Sequence, residues 1–264
     1  MGWLSSAKSA GALLGPAVGG LLVYWTGSFR LAFFAAAVAS LLTLLVTVTL
    51  PTIRPSETTG VEGIEDDSGR NNERPLILHA LSITFVLNVG GVMIVVWLPF
   101  AMVAEYGPRT AASIVGFVTA CAALASMVFA PLWGRFADSR QRGTALAATV
   151  LLPTPIVLAL GLSRGTVFAA VFFILSSMLG SEAVALLGSE VSKELRRDKV
   201  GPYFGWSNSA TQVASAAGAM LVPFLVATAL SLPVWAALAC YVVASLLTVL
   251  IVRTIRREPV GATV

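Results

Sequence analysis

Residues 76–104 read LILHALSITFVLNVGGVMIVVWLPFAMVA. No aspartate, glutamate, lysine or arginine interrupts them, and apolar residues fall on every face. A helix that crosses a bilayer needs about 20 mostly apolar residues at about 1.5 Å of rise each, and this run exceeds that. A membrane barrel strand alternates polar and apolar residues, which this run does not. Of the elements open to a single segment, only a helix satisfies its own backbone groups in hydrocarbon. Residues 76–104 are therefore expected to span a membrane as a helix.

The same reading carried outward gives seven more runs: Ser5–Trp25, Leu31–Leu50, Ala111–Trp133, Thr144–Leu162, Val167–Gly188, Phe204–Ala227 and Leu232–Val252. The expected fold is all-α, a polytopic membrane bundle of about eight transmembrane helices. Composition agrees. The chain has 264 residues, 57% of them hydrophobic and 11% charged, with a mean hydropathy of +0.87. A soluble domain carries roughly a quarter charged residues, and so few charges could not coat a water-facing surface. Two cysteines give no disulfide framework and one histidine gives no multi-histidine metal site, so no cofactor or metal is expected.

Connections between runs are short, except for Pro51–Pro75. That stretch sets Glu57, Glu62, Glu65, Asp66, Asp67 and Glu73 against Arg54, Arg70 and Arg74. It is too polar to fold by burial and reads as a flexible linker between two spans and six.

Lysine and arginine concentrate in cytoplasmic loops. Taking alternate sides of eight spans, one side collects Lys8, Arg54, Arg70, Arg74, Arg135, Arg140, Arg142, Lys193, Arg196, Arg197, Lys199, Arg253, Arg256 and Arg257. The other holds Arg30, Arg109 and Arg164. The split places both termini in the cytoplasm and assigns the net charge of +4 to a membrane surface, not to nucleic acid.

Three motifs carry more than hydropathy. The first run contains Gly11-x-x-x-Gly15-Pro16-x-x-Gly19-Gly20. Glycines four apart let another helix backbone approach, and Pro16 removes a ladder hydrogen and bends the helix. The loop after the fourth run reads Gly134-Arg135-Phe136-Ala137-Asp138-Ser139-Arg140-Gln141-Arg142-Gly143. Asp138 there can pair with a neighbouring arginine or a helix N-terminus in one conformation and release in another; a tight charged turn is the plainer reading. The sixth–seventh junction runs from Glu190 through Lys193–Lys199 to Gly201, Tyr203 and Gly205.

These residues resemble the major facilitator superfamily, in style its drug–proton antiporter branch. The glycine-proline string is similar to that family's fifth-helix motif. The Gly134–Gly143 loop is similar to its short cytoplasmic loop motif, with Gly134, Asp138 and Arg142 in place and Ser139 and Gln141 departing from it. The resemblance aligns nearly the whole chain with helices five to twelve. It implies that residues 1–50 end an N-terminal half, 51–75 form the central cytoplasmic linker, 76–257 form a C-terminal six-helix half and 258–264 a cytoplasmic tail. Helices one to four have no counterpart, which the resemblance reads as a chain lacking the family's first third.

An ionisable or strongly polar group inside a span usually faces a cavity. Glu182 lies well inside the sixth run, the counterpart of a cavity-lining helix. It can bind a proton or a cationic substrate, or it can sit hydrated near the cytoplasmic end beside Lys193. Asn88, mid-way along residues 76–104, can bind substrate or join two helices. Asn208, Gln212 and Ser215 recur at i, i+4 and i+7 on one helix face, lining the pathway or bonding helix to helix. The second and eighth runs carry no internal charge and read as outer scaffold. Cys121 and Cys240 read as small buried apolar residues, His79 as an interface residue, and Glu105 and Arg109 as solvated. Trp97, Trp133, Trp206 and Trp235 lie toward run ends, as in an aromatic belt.

The expected function is secondary active transport: proton-coupled export of a small organic solute by alternating access, from the plasma (inner) membrane. The partners are then the lipid bilayer, the solute and a proton. The alternative is a non-transporting remnant, or a subunit completed by a separate chain supplying four helices. No phosphate-loop, HExxH or GxSxG motif occurs, so neither ATP-driven work nor an enzyme is expected.

Overall fold

The structure, a computed structural model, describes residues 11, 14–15, 18–49, 73–138, 142–163, 165–180 and 183–257. Among them the regular elements are all helices, with no strand. They are α1 (Phe29–Thr49), α2 (Glu73–Tyr106), α3 (Pro108–Asp138), α4 (Arg142–Leu151), α5 (Pro153–Leu162), α6 (Thr166–Gly180), α7 (Ala183–Glu194), α8 (Arg197–Thr228) and α9 (Leu232–Arg257). Residues 18–26 are also helical, the described end of the first run.

Six stretches among the described residues are long and apolar enough to cross a bilayer: Phe29–Val46, Arg74–Tyr106, Pro108–Phe136, Thr166–Glu194, Asp198–Thr228 and Leu232–Leu250. Polar side chains within them fold their polarity back onto the helix. Ser82 donates to Leu78 O at 2.8 Å, Thr119 to Val115 O at 2.7 Å and Thr248 to Ala244 O at 2.8 Å. Such bonds spare each hydroxyl an unmet partner in hydrocarbon.

The run expected over Thr144–Leu162 differs. It forms two ten-residue helices, α4 and α5, that meet at Leu152. Leu152 N–H still donates to Ala148 O at 2.9 Å, and its backbone stays helical at φ −63°, ψ −36°. Pro153 and Pro155, on either side of Thr154, then withhold two ladder donors, which interrupts the helix there. The linker also ends earlier than expected. Glu73–Pro75 form the first turn of α2, where Pro75 lacks only an amide hydrogen that has no partner within the helix. Residues 50–72 lie outside the described structure.

At the centre of the bundle runs α2. It packs most extensively against α8 and α9, and also against α3, α6 and α7. Half of its spanning window is buried, against none of the window in α1. Lipid tails are as apolar as leucine, so close packing rather than hydrophobicity holds such helices together. Two glycines make that packing possible. A Cβ on Gly218 of α8 would stand 2.8 Å from Val89 O, and one on Gly90 of α2 would stand 3.0 Å from Cys240 Cβ of α9.

The eighth run is no outer scaffold. It forms α9, whose Val234, Ala237, Tyr241 and Ala244 are buried against α2, α4 and α5. Nor is Trp97 a belt residue. It is buried, and its Nε1 donates to Leu230 O at 2.6 Å, fastening α2 to the turn between α8 and α9. Trp206 and Trp235 do keep exposed rings, while Trp133 Nε1 donates to Met178 O at 3.3 Å. Cys121 and Cys240 are half-buried. Tight turns join residues 18–26 to α1 and α2 to α3. Each turns on a glycine at positive φ, Gly27 at 65° and Gly107 at 74°, a backbone region that costs other residues about 1–2 kcal/mol.

Gly218→Ala forces α8 away from a backbone oxygen of α2, and overpacking of this kind costs about 1–3 kcal/mol. Scanning fluorimetry of the purified protein should show a lower unfolding midpoint. Gly205→Ala, on the same helix with open space at its Cβ position, should not lower it; equal shifts in the two variants would refute the central role given to the α2–α8 contact.

Candidate functional site

A cavity of about 270 Å³ lies within the bundle, walled by α2, α3, α6, α7 and α9. The wall from α2 is one helical stripe: Asn88, Gly91, Val92 and Val95 stand at i, i+3, i+4 and i+7. From α6 come Phe173, Ser176 and Ser177, again at i, i+3 and i+4. Ser126 of α3, Val184 of α7 and Tyr241 of α9 complete the polar and aromatic part of the lining. Gly91 carries no side chain, so the wall is recessed at its position. A Cβ there would meet the Tyr241 hydroxyl at 3.6 Å.

The hydrogen bonds decide what this wall offers a guest. Asn88 Nδ2 donates to Thr84 O at 2.7 Å. The carbonyl can only accept, so the amide nitrogen faces it; among the described residues Oδ1 and the second amide hydrogen have no partner. Ser126 Oγ donates toward Ala122 O at 2.9 Å and Ser177 O at 3.2 Å, joining α3 to α6. Ser176 Oγ donates to Phe173 O at 2.9 Å. These two hydroxyls have spent their hydrogens and keep their lone pairs. Among the described residues, neither the Ser177 hydroxyl nor that of Tyr241 makes a hydrogen bond, and each can donate or accept.

Of the residues singled out in the sequence, Asn88 lines the cavity. Asn208 and Gln212 do not; they stand exposed on α8, while Ser215 is half-buried and donates to Thr211 O at 2.8 Å. Glu182 lies outside the described residues, between Ser177 and Val184 in the chain. Asp138 closes α3 and Arg142 opens α4, with both side chains outside the description. Gly134 is helical, with open space at its Cβ position. In the glycine-proline string, Pro16 is outside the described residues, and Gly11, Gly15 and Gly19 have nothing within 4 Å of a Cβ position. Gly20 makes the close approach: its Cβ would stand 2.8 Å from Ala112 O and 3.2 Å from Gly116 Cα of α3. The described part of the string thus seats residues 18–26 on α3 at one point.

At the opposite end of α2 from Glu73, the side chains read as solvated also make contacts. Thr166 Oγ1 donates to Glu105 Oε1 at 3.2 Å and lies 2.7 Å from Tyr106 Oη, tying α2 to the start of α6. The Arg109 guanidinium lies over Gly27, 3.3 Å from where a Cβ would be. His79 is exposed, with Nδ1 2.6 Å from Pro75 O.

Sequence reading missed Ser126, Ser176, Ser177 and Tyr241. Serines in apolar helices usually bond their own backbone, as Ser126 and Ser176 do, so residue type alone says little. Adjacent serines one turn before Ser181 and Glu182, in an otherwise apolar run, were the available signal. For Tyr241 there was none, because α9 is apolar on either side of it. Among the described residues, no three histidine, cysteine or carboxylate side chains gather as a metal site.

A family model described as Major Facilitator Superfamily matches residues 1–219. No curated protein matches the chain.

Ser126→Ala removes the α3–α6 hydrogen bond at the cavity. Interhelical bonds in membrane proteins average about 0.6 kcal/mol, so a drop of a few degrees at most is expected in the unfolding midpoint. Ser82→Ala deletes a bond within α2 alone and should leave the midpoint closer to that of the parent.

Proposed function

The chain belongs to the major facilitator superfamily, and from that membership we propose that it exports small organic solutes in exchange for protons by alternating access. The family is one of membrane transporters, and six apolar helices of membrane length make the chain an integral membrane protein. The observation that carries the proposal is the cavity between α2, α3, α6, α7 and α9, walled by an asparagine, three serines and a tyrosine. Polar groups inside a membrane bundle are costly unless they face partners or a guest. A wall that, among the described residues, leaves Asn88 Oδ1 and two hydroxyls without partners suits a guest that comes and goes.

Glu182 is the proposed coupling carboxylate. Its support is its sequence position, between cavity-lining Ser177 and Val184, and the cost of a permanently charged group in a span. A carboxyl that alternates between protonated and ionised avoids that cost in one of its two states. The proposed orientation, with both termini cytoplasmic in the plasma membrane, rests on the uneven distribution of lysine and arginine. The proposed conformational elements are the glycine string, with Gly20 packed on α3, and the Gly134–Arg142 segment that runs from the last turn of α3 to the start of α4.

A second reading has its own support. Asn208 and Gln212 stand exposed on a helix of membrane length, and none of the spanning window of α1 is buried. Polar side chains turned to lipid are unfavourable, so that face of α8 suits further helices. A subunit completed by a separate membrane chain, inactive alone, would expose such a face.

Reconstitution into proteoliposomes with an imposed pH gradient and a panel of small organic solutes separates the two. Gradient-dependent flux through this chain alone supports the transporter acting by itself. Absence of flux for every solute favours the subunit or the remnant. In an active preparation, Glu182→Gln should abolish the dependence of flux on the gradient; an unaltered pH profile removes Glu182 from coupling.

A further inference from the structure

We infer that the cavity between α2, α3, α6, α7 and α9 takes a small uncharged amphiphile, one aromatic ring with a short polar arm, that donates a hydrogen bond to Asn88 Oδ1 and meets the Tyr241 hydroxyl. The inference deepens the transport proposal and rests on this cavity being the transport site.

Size comes first. A dry cavity of about 150 Å³ holds benzene, so about 270 Å³ holds one ring and a few further atoms. It lies below the usual range of about 300–1,000 Å³ for drug-sized ligands. Shape agrees: Phe173, Leu87, Ile94 and Val184 give the apolar wall against which a ring would lie.

Polarity comes from the hydrogen-bond inventory. Asn88 Oδ1 and the lone pairs of Ser126 and Ser176 accept, while one of the two Asn88 amide hydrogens and both serine hydrogens are committed to Thr84 O, Ala122 O or Ser177 O, and Phe173 O. Among the described residues the second Asn88 amide hydrogen and the hydroxyls of Ser177 and Tyr241 are uncommitted. Acceptor groups (Asn88 Oδ1 and the four hydroxyl oxygens) still outnumber these three donors, so a guest that completes the wall brings at least one donor. An anion would face this acceptor-rich wall with no lysine, arginine or histidine among the described lining residues. A cation would find no carboxylate among those residues either, and an unpaired charge in such a place costs several kcal/mol. A hydroxyl on a ring meets both requirements. The geometry around Gly91 fixes where it goes: its missing side chain leaves the approach between Asn88 and the Tyr241 hydroxyl open.

The test is equilibrium binding to the full 264-residue chain in lipid nanodiscs, with empty nanodiscs correcting for partition. The probe is radiolabelled 4-ethylphenol. Saturable binding is expected, with 4-ethylanisole competing about tenfold more weakly for want of one hydrogen bond. Neither 4-ethylbenzoate nor 4-ethylbenzylammonium should compete. Tyr241→Phe and Asn88→Leu should each shrink the gap between phenol and anisole, and Gly91→Leu should abolish binding by filling the recess. Tyr241→Phe keeps the ring and its packing, so it serves even if Asn88→Leu does not fold. Equal competition by the anisole or tighter binding of either ion overturns the inference, as does unchanged binding to Gly91→Leu. If the ammonium ion binds tighter and loses that advantage in Glu182→Gln, the site is cationic and the inference is likewise overturned. Binding without flux in proteoliposomes leaves the inference standing and sinks the transport proposal. Flux of a carboxylate solute without 4-ethylphenol binding does the reverse.

Discussion

A backbone amide in hydrocarbon has no water to turn to, and leaving it unpaired costs several kcal/mol. The described part of this protein answers that demand with helices, from residues 18–26 to Leu232–Arg257. Where sequence withholds a donor, the structure changes. Pro153 and Pro155 divide one apolar run into α4 and α5, while Pro99, Pro131, Pro202 and Pro223 are absorbed within long helices. The same demand governs side chains. Most serine and threonine hydroxyls bond a carbonyl one turn back, so runs containing them still read, and behave, as apolar.

Once each helix has satisfied itself, what brings helices together is fit. The centre falls to α2 because its neighbours can come close to it, α8 through Gly218 and α9 through Gly90. The Trp97–Leu230 hydrogen bond fastens one end of that arrangement. This explains why α9, whose spanning stretch is nearly as apolar as that of α1, is an interior helix: Ala237, Tyr241 and Ala244 turn toward the bundle. It also explains why a cavity forms. The stripe from Asn88 to Val95 is recessed where Gly91 has no side chain, and Tyr241, Phe173 and the serines of α3 and α6 line the space beside it.

The cavity joins the chemistry of the helices to function. Its polar atoms come from four helices, and none of those atoms is a charged group of the described residues. What distinguishes it from ordinary helix packing is incompleteness. Among the described residues, Asn88 reaches back to Thr84 with its nitrogen and leaves its oxygen free, and two hydroxyls have no partner. By contrast, the polar side chains Asn208 and Gln212 on α8 open outward, away from this space.

Hydropathy and residue spacing alone determined the all-α membrane fold, because the bilayer sets span length and demands self-bonded backbone. They located every run that carries helix, to within a few residues at most ends, and marked Asn88 as a polar group at a meaningful depth. They also carried the family resemblance, in Gly11–Gly20 and Gly134–Gly143. Tertiary structure decided which apolar helix is central and which is peripheral, that Gly20 rather than Gly11, Gly15 or Gly19 meets α3, and that Ser126, Ser176, Ser177 and Tyr241 converge on Asn88. The reason is that a span apolar on all faces has no pattern to say which side turns inward. That choice is made by the shapes of neighbouring helices, which sequence periodicity does not record.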